Sequence, residues 1–132
     1  MAKIIYPNAE EIIEYNLLVL SIIKVKKADR PEVLSKQKIA DVIDECREFD
    51  GDIHSKALVL LKGLVKAHAF ASGNRRTAFV ATKSFLSKNA AKFGIKNEPE
   101  YARVMIGIRE GFYSDDEIKE WIENGKIRKF ER

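Results

Sequence analysis
The chain has 132 residues, enough for one domain that buries well over half of the surface exposed by its unfolded form, so a core needs no staples. Its 24 basic and 20 acidic residues are interspersed, and a net charge of +4 is too small and scattered to argue for nucleic acid as a partner. A single cysteine excludes an internal disulfide, Cys46 and the distant His54 and His68 do not make a zinc pattern, and no uncharged run approaches the ~18 residues of a membrane span.

The start, MAKIIYPNAEEII, lacks a basic segment followed by a long apolar run, which predicts a cytoplasmic protein without a membrane partner. Three prolines and seven glycines punctuate the chain, and apolar residues recur at spacings of three and four, so the fold should be mainly α. After Pro7, Asn8 caps a helix through Ile23, with Glu11 as its capping-box partner and Ile12, Ile13, Leu17 and Leu20 on the inner side. The basic run Lys24-Val25-Lys26-Lys27 and the tail from Lys126 to Arg132 read as solvated charge, and Asp29-Arg30-Pro31 as a polar link.

A second helix starts at Ser35 and carries Ile39, Val42, Ile43 and Cys46 before the turn signal Asp50-Gly51-Asp52; Cys46 reads as a buried thiol. From Ile53 to about His68, Ala57, Leu58, Leu60, Leu61, Leu64 and Val65 cover more than half of a helix circumference, which predicts a central helix. A helix from about Arg75 to Asn89 presents Ala78, Phe79, Ala81, Thr82, Phe85 and Leu86, small enough in part for close packing on its predecessor. Another opens near Pro99, and the last opens at the capping box Ser114-Asp115-Asp116-Glu117, closes at Gly125 and carries Trp121 as a core anchor.

Between the third and fourth helices stands KAHAFASGNRRTAF, Lys66 to Phe79. A helix start exposes unpaired N–H groups and a positive dipole end, Gly73 lets the backbone come close, and Arg75 and Arg76 suit phosphate oxygens: together, an anion cradle. His68 ends the preceding helix beside it, where a neutral imidazole can take a proton from a hydroxyl attacking phosphorus. The same residues also suit an ordinary surface turn, since a helix C-terminus favours a histidine. Phe70 reads as a wedge into the core, Thr77 and Ala78 as packing residues.

The run His68-Ala69-Phe70-Ala71-Ser72-Gly73-Asn74-Arg75-Arg76-Thr77-Ala78 resembles the signature of the Fic/Doc family: His, x, Phe, x, Asp or Glu, a small residue, Asn, Gly or Lys, Arg, often then Thr-Ala. The resemblance is sharp over about Gly51 to Asn89 and architectural elsewhere. It implies a compact helical bundle over 1–132 as a single Fic/Doc-like domain, with an optional small β-hairpin flap ahead of the central helix, between the Pro31 region and Ile53. It implies ATP or another nucleotide as substrate, Mg²⁺, and a target protein whose Ser, Thr or Tyr hydroxyl receives AMP or, in the Doc toxin branch, phosphate. His68 would be the general base, Asn74 and the loop N–H groups with Ser72 and Gly73 the phosphate cradle, and Arg75 and Arg76 its cations.

Two positions depart from the pattern. Ser72 replaces the acid that holds Mg²⁺, and a hydroxyl is a much weaker ligand for a hard dication, so no residue is assigned to metal. Arg75 replaces the Gly of AMP-transferring members or the Lys of Doc-like ones, which leans towards Doc. The family's self-inhibitory pattern, Ser/Thr-x-x-x-Glu-Gly/Asn, is not met at Glu110-Gly111 or Glu123-Asn124, so restraint would come from a separate antitoxin. Three readings stay open: a Doc-like transferase, a catalytically silent module that binds nucleotide or protein, and a plain helical interaction module.

Overall fold
The computed structural model describes residues 3–22 and 31–131. The Lys24-Val25-Lys26-Lys27 run, the Asp29-Arg30 link, the end of the first helix at Ile23, and Arg132 lie outside the described residues. Among the described residues six α-helices follow one another: α1 (Ala9–Ile22), α2 (Lys36–Glu48), α3 (Ile53–Ala67), α4 (Asn74–Lys88), α5 (Glu100–Arg109) and α6 (Asp115–Asn124).

The helix starts are those the capping residues dictate. Asn8 and Glu11 exchange side-chain bonds with each other's N–H groups at 2.9 and 3.2 Å, Ser35 accepts from the Lys38 N–H, and Asp52 accepts from the Ser55 N–H at 2.8 Å. Ser114 and Glu117 form a full capping box, and Gly125, at φ 75, closes α6. The α2 stripe of Ile39, Val42, Ile43 and Cys46 is buried as its spacing predicts. Burial pushes the Cys46 thiol up to about 11, so it rests there as a small apolar group.

Helix α3 is the centre of the molecule, packing against α2, α4, α5 and α6, while α1 lies on α4 and α2. A Cβ on Gly63 would stand 2.7 Å from Val42 Cγ1, so the glycine sets how closely α2 and α3 approach. Phe85, Leu60, Leu61, Leu86 and Trp121 fill the interior, each contributing roughly 1.5–3 kcal/mol of apolar transfer. The buried Lys56 is held by α2 instead of by an acid: its ammonium donates to the carbonyls of Cys46, Arg47 and Phe49 at 3.3, 3.0 and 2.6 Å. It thereby satisfies carbonyls that the helix end leaves open.

Two expectations change. On α1, Ile12, Asn16 and Val19 are buried, whereas Leu17, expected inside, is 48% exposed. The run Leu17-Leu18-Val19-Leu20 is apolar on every side, so its spacing does not set the helix's rotation; the hydrogen bonds of Asn16 do. The region expected to carry a hairpin flap is instead α2, and among the described residues there is no hairpin. The spacing of Ile39, Val42, Ile43 and Cys46 is helical, and Asp50-Gly51-Asp52 simply leads into α3.

What is extended is the short segment before α2. Val33 pairs antiparallel with Phe70, the Leu34 N–H donates to the Ala69 carbonyl at 2.7 Å, and the Ala71 N–H donates to the Glu32 carbonyl at 2.9 Å. The loop after α3 is thus braced on one side by backbone. Among the described residues no helix is long and apolar enough to cross a membrane.

Candidate functional site
Helix α3 ends at His68, whose backbone is left-handed at φ 49 and ψ 51. For a residue with a Cβ this conformation costs about 1–2 kcal/mol, and it turns the chain sharply out of the helix. Ala69 and Phe70 then drop into the core, Phe70 at 2% exposure, which makes it the wedge its position suggested. Gly73, at φ 79, turns the chain again into α4, and a Cβ there would stand 3.2 Å from both Asn16 Nδ2 and Leu20 Cδ2. A glycine is required by conformation and by space.

Helix α4 begins without a side-chain cap and without an acid in its first turn, so its opening N–H groups and positive dipole end are left for an anion. They face a cavity of about 380 Å³ that brings together His68, Ser72, Gly73, Asn74, Arg75 and Arg76, every one of the expected polar site residues. Buried Phe70 lies outside its lining.

One role changes. Asn74 was expected to hold phosphate together with the loop N–H groups, and its carboxamide is occupied by the loop itself. Its Oδ1 accepts from the Phe70 N–H at 3.0 Å, and its Nδ2 donates to the Phe70 carbonyl at 2.8 Å and approaches His68 Nδ1 at 3.3 Å. Because the two Phe70 bonds fix which end of the amide is which, Nδ1 of His68 is the acceptor. The neutral imidazole then carries its hydrogen on Nε2. Only the backbone N–H of Asn74, at the start of α4, is left for an anion.

The cavity also contains residues that the sequence did not single out. Arg109, in the last turn of α5, lines it together with Tyr101, and Val19, Leu20, Val65 and Met105 give it an apolar side. The Arg76 guanidinium lies 5.5 Å over the Tyr101 ring, which itself meets Phe79 edge-on at 4.5 Å, so Arg76 is steered by an anchored aromatic. Burial pushes the Tyr101 phenol above its ordinary range, more than nearby Arg76 pulls it down, so near neutral pH it adds no negative charge. From α1, Asn16 donates to the Ser72 carbonyl at 2.9 Å and to the Thr77 hydroxyl at 3.1 Å, tying both sides of the Gly73 turn to a third helix. A lone Asn in an apolar helix was the available signal for that bond, since a buried amide needs partners.

A model of the Fic/DOC family matches residues 24–86, which contain α2, α3, the loop and most of α4. Over that stretch the chain is similar to the Fic/DOC family. No curated protein matches it. Helices α1, α5 and α6 lie outside the matched residues, yet Asn16, Tyr101 and Arg109 come to the loop from α1 and α5.

The Mg²⁺ that the resemblance implies does not fit the donors present. Among the described residues, no Asp or Glu lines the cavity, and no group of three His, Cys, Asp or Glu side chains is arranged to hold an ion. The Ser72 hydroxyl and backbone carbonyls are weak ligands for a hard dication, and three guanidiniums around the same space repel one.

Proposed function
We propose that this chain transfers a phosphate, or AMP, from a nucleotide to a Ser, Thr or Tyr hydroxyl of a target protein in the cytoplasm. The Doc-like form of the reading makes it a toxin restrained by a separate antitoxin. The observation that carries the transferase reading is one cavity combining His68, the uncapped start of α4, and cations that suit phosphate oxygens. In the transfer, the target oxygen bonds to phosphorus while the bond to the leaving nucleotide or pyrophosphate breaks, and the hydroxyl proton passes to the imidazole. Arg75 and Arg76 carry the developing charge on the phosphoryl oxygens, the positioning and electrostatic work that phosphoryl transfer needs. The Asn74 contact asks one more thing of His68: the imidazole must release Asn74 and accept the proton at Nδ1, or first move its hydrogen from Nε2 to Nδ1, before it can act as the base.

That requirement, with a cavity lined by no described carboxylate, favours a second reading: a catalytically silent module that binds nucleotide or protein. The deciding experiment incubates purified protein with cell extract, Mg²⁺ and ATP labelled at the α or the γ phosphate. Label from the γ position that disappears in His68→Ala supports phosphate transfer, and label from the α position supports AMP transfer. Absence of any His68-dependent label rejects the transferase. Label gained only in Ser72→Asp identifies a silent module one ligand short of activity.

A further inference from the structure
We infer that this cavity grips the phosphates of a nucleotide with guanidiniums and backbone N–H groups alone, without a divalent metal held by the protein, and that Arg109 of α5 supplies its third cation. The inference rests on the nucleotide-site reading above and deepens it.

Some cations of the chain meet acids, as Lys36 does Glu10 and Arg128 does Glu117, while others, such as Lys83 and Arg103, form no ion pair among the described residues and stand apart on the surface. Arg75, Arg76 and Arg109 differ in being gathered at one place. None of the three forms an ion pair among the described residues, and all three line the same cavity. Like charges gathered without counterions repel one another, and an anion placed among them removes that cost. The C-terminal end of α5 favours a cation at Arg109. That local preference does not account for its meeting two arginines of α4 across a cavity.

The ligand's chemistry follows from the lining. Guanidiniums hold phosphate oxygens two at a time, and the uncapped start of α4 adds N–H donors on the same side. Val19, Leu20, Val65 and Met105 offer apolar surface beside them, which inorganic phosphate cannot use and a nucleoside can. In a metal-bound site the ion neutralises the phosphates. Here the third guanidinium stands in for that charge.

The test is calorimetric titration of the full chain with ATP, first in Mg²⁺ and then in excess EDTA. The parent protein should bind equally in the two buffers to within about twofold. In EDTA, Arg109→Gln should weaken binding about tenfold or more, as expected for a lost charge-assisted contact, and Arg109→Lys should recover part of it. Arg103→Gln, an exposed arginine of α5 outside the cavity lining, should bind as the parent does. Binding that survives in Mg²⁺ but falls tenfold or more in EDTA, to take about that threshold, overturns the metal-free grip and leaves the nucleotide site standing. An Arg109→Gln protein indistinguishable from the parent overturns the third cation. No ATP binding in either buffer overturns this inference and the nucleotide reading together.

Discussion

Asn74 holds Phe70 by both of its backbone groups, accepting from the N–H at 3.0 Å and donating to the carbonyl at 2.8 Å. The site loop is therefore closed by a side chain at the first position of α4, four residues beyond the peptide it grips. The geometry of His68 depends on this clamp, because the same amide reaches its Nδ1.

Asn74→Ala should leave the Phe70 carbonyl and N–H without those partners and cost about 1–3 kcal/mol of stability in urea unfolding. Faster exchange of the Phe70 amide hydrogen should accompany it. A variant as stable as the parent, with that amide still protected, would show that the clamp is incidental.

His68 carries backbone strain that a glycine would not. His68→Gly should raise stability by up to about 1 kcal/mol, the left-handed cost less the extra freedom gained by the unfolded chain, while abolishing any His68-dependent labelling. Equal or lower stability would mean that the imidazole's own contacts outweigh the strain. Denaturant midpoints compared at pH 7 decide this.

Lys56→Met keeps the aliphatic stem but removes the donor to three carbonyls at the end of α2. The loss should be about 1–3 kcal/mol, since the Cys46 carbonyl is buried and the other two are partly buried without a replacement donor. Thermal unfolding of the variant beside a surface control, Lys83→Met, tests it.

Asp52 caps α3 and meets Lys119 at 2.9 Å. The Lys119 ammonium first, and then the Ser55 N–H, hold its carboxyl at about 2. A carboxyl depressed by folding adds stability above the ordinary carboxylate range and loses it as pH falls through its folded value. Asp52→Asn, which keeps a capping oxygen, should therefore melt below the parent near neutral pH, with the gap narrowing as pH falls from about 4 to about 2. A gap independent of pH would remove the charge from the explanation. The pair is exposed, so the effect should shrink in high salt.

Where polar residues leave a definite apolar face on a helix, the spacing was enough. The buried faces of α2, α3 and α4, the caps at Asn8, Ser35 and Ser114, and the run from His68 to Arg76 are all local patterns, and local geometry decides them. The same run carries the similarity to the Fic/DOC family, and it contains every expected polar residue that the cavity gathers.

Tertiary structure decided what lies between helices. The rotation of α1 was ambiguous because Leu17 to Leu20 are apolar all round, and the Asn16 bonds to Ser72 and Thr77 resolved it. Nothing local distinguishes Arg109 from any other arginine in a last helical turn, and nothing local shows that the Asn74 amide is occupied by Phe70. Both depend on where a side chain ends after the chain has turned through a left-handed histidine and a left-handed glycine, and a residue pattern records the turns without recording the meeting they bring about.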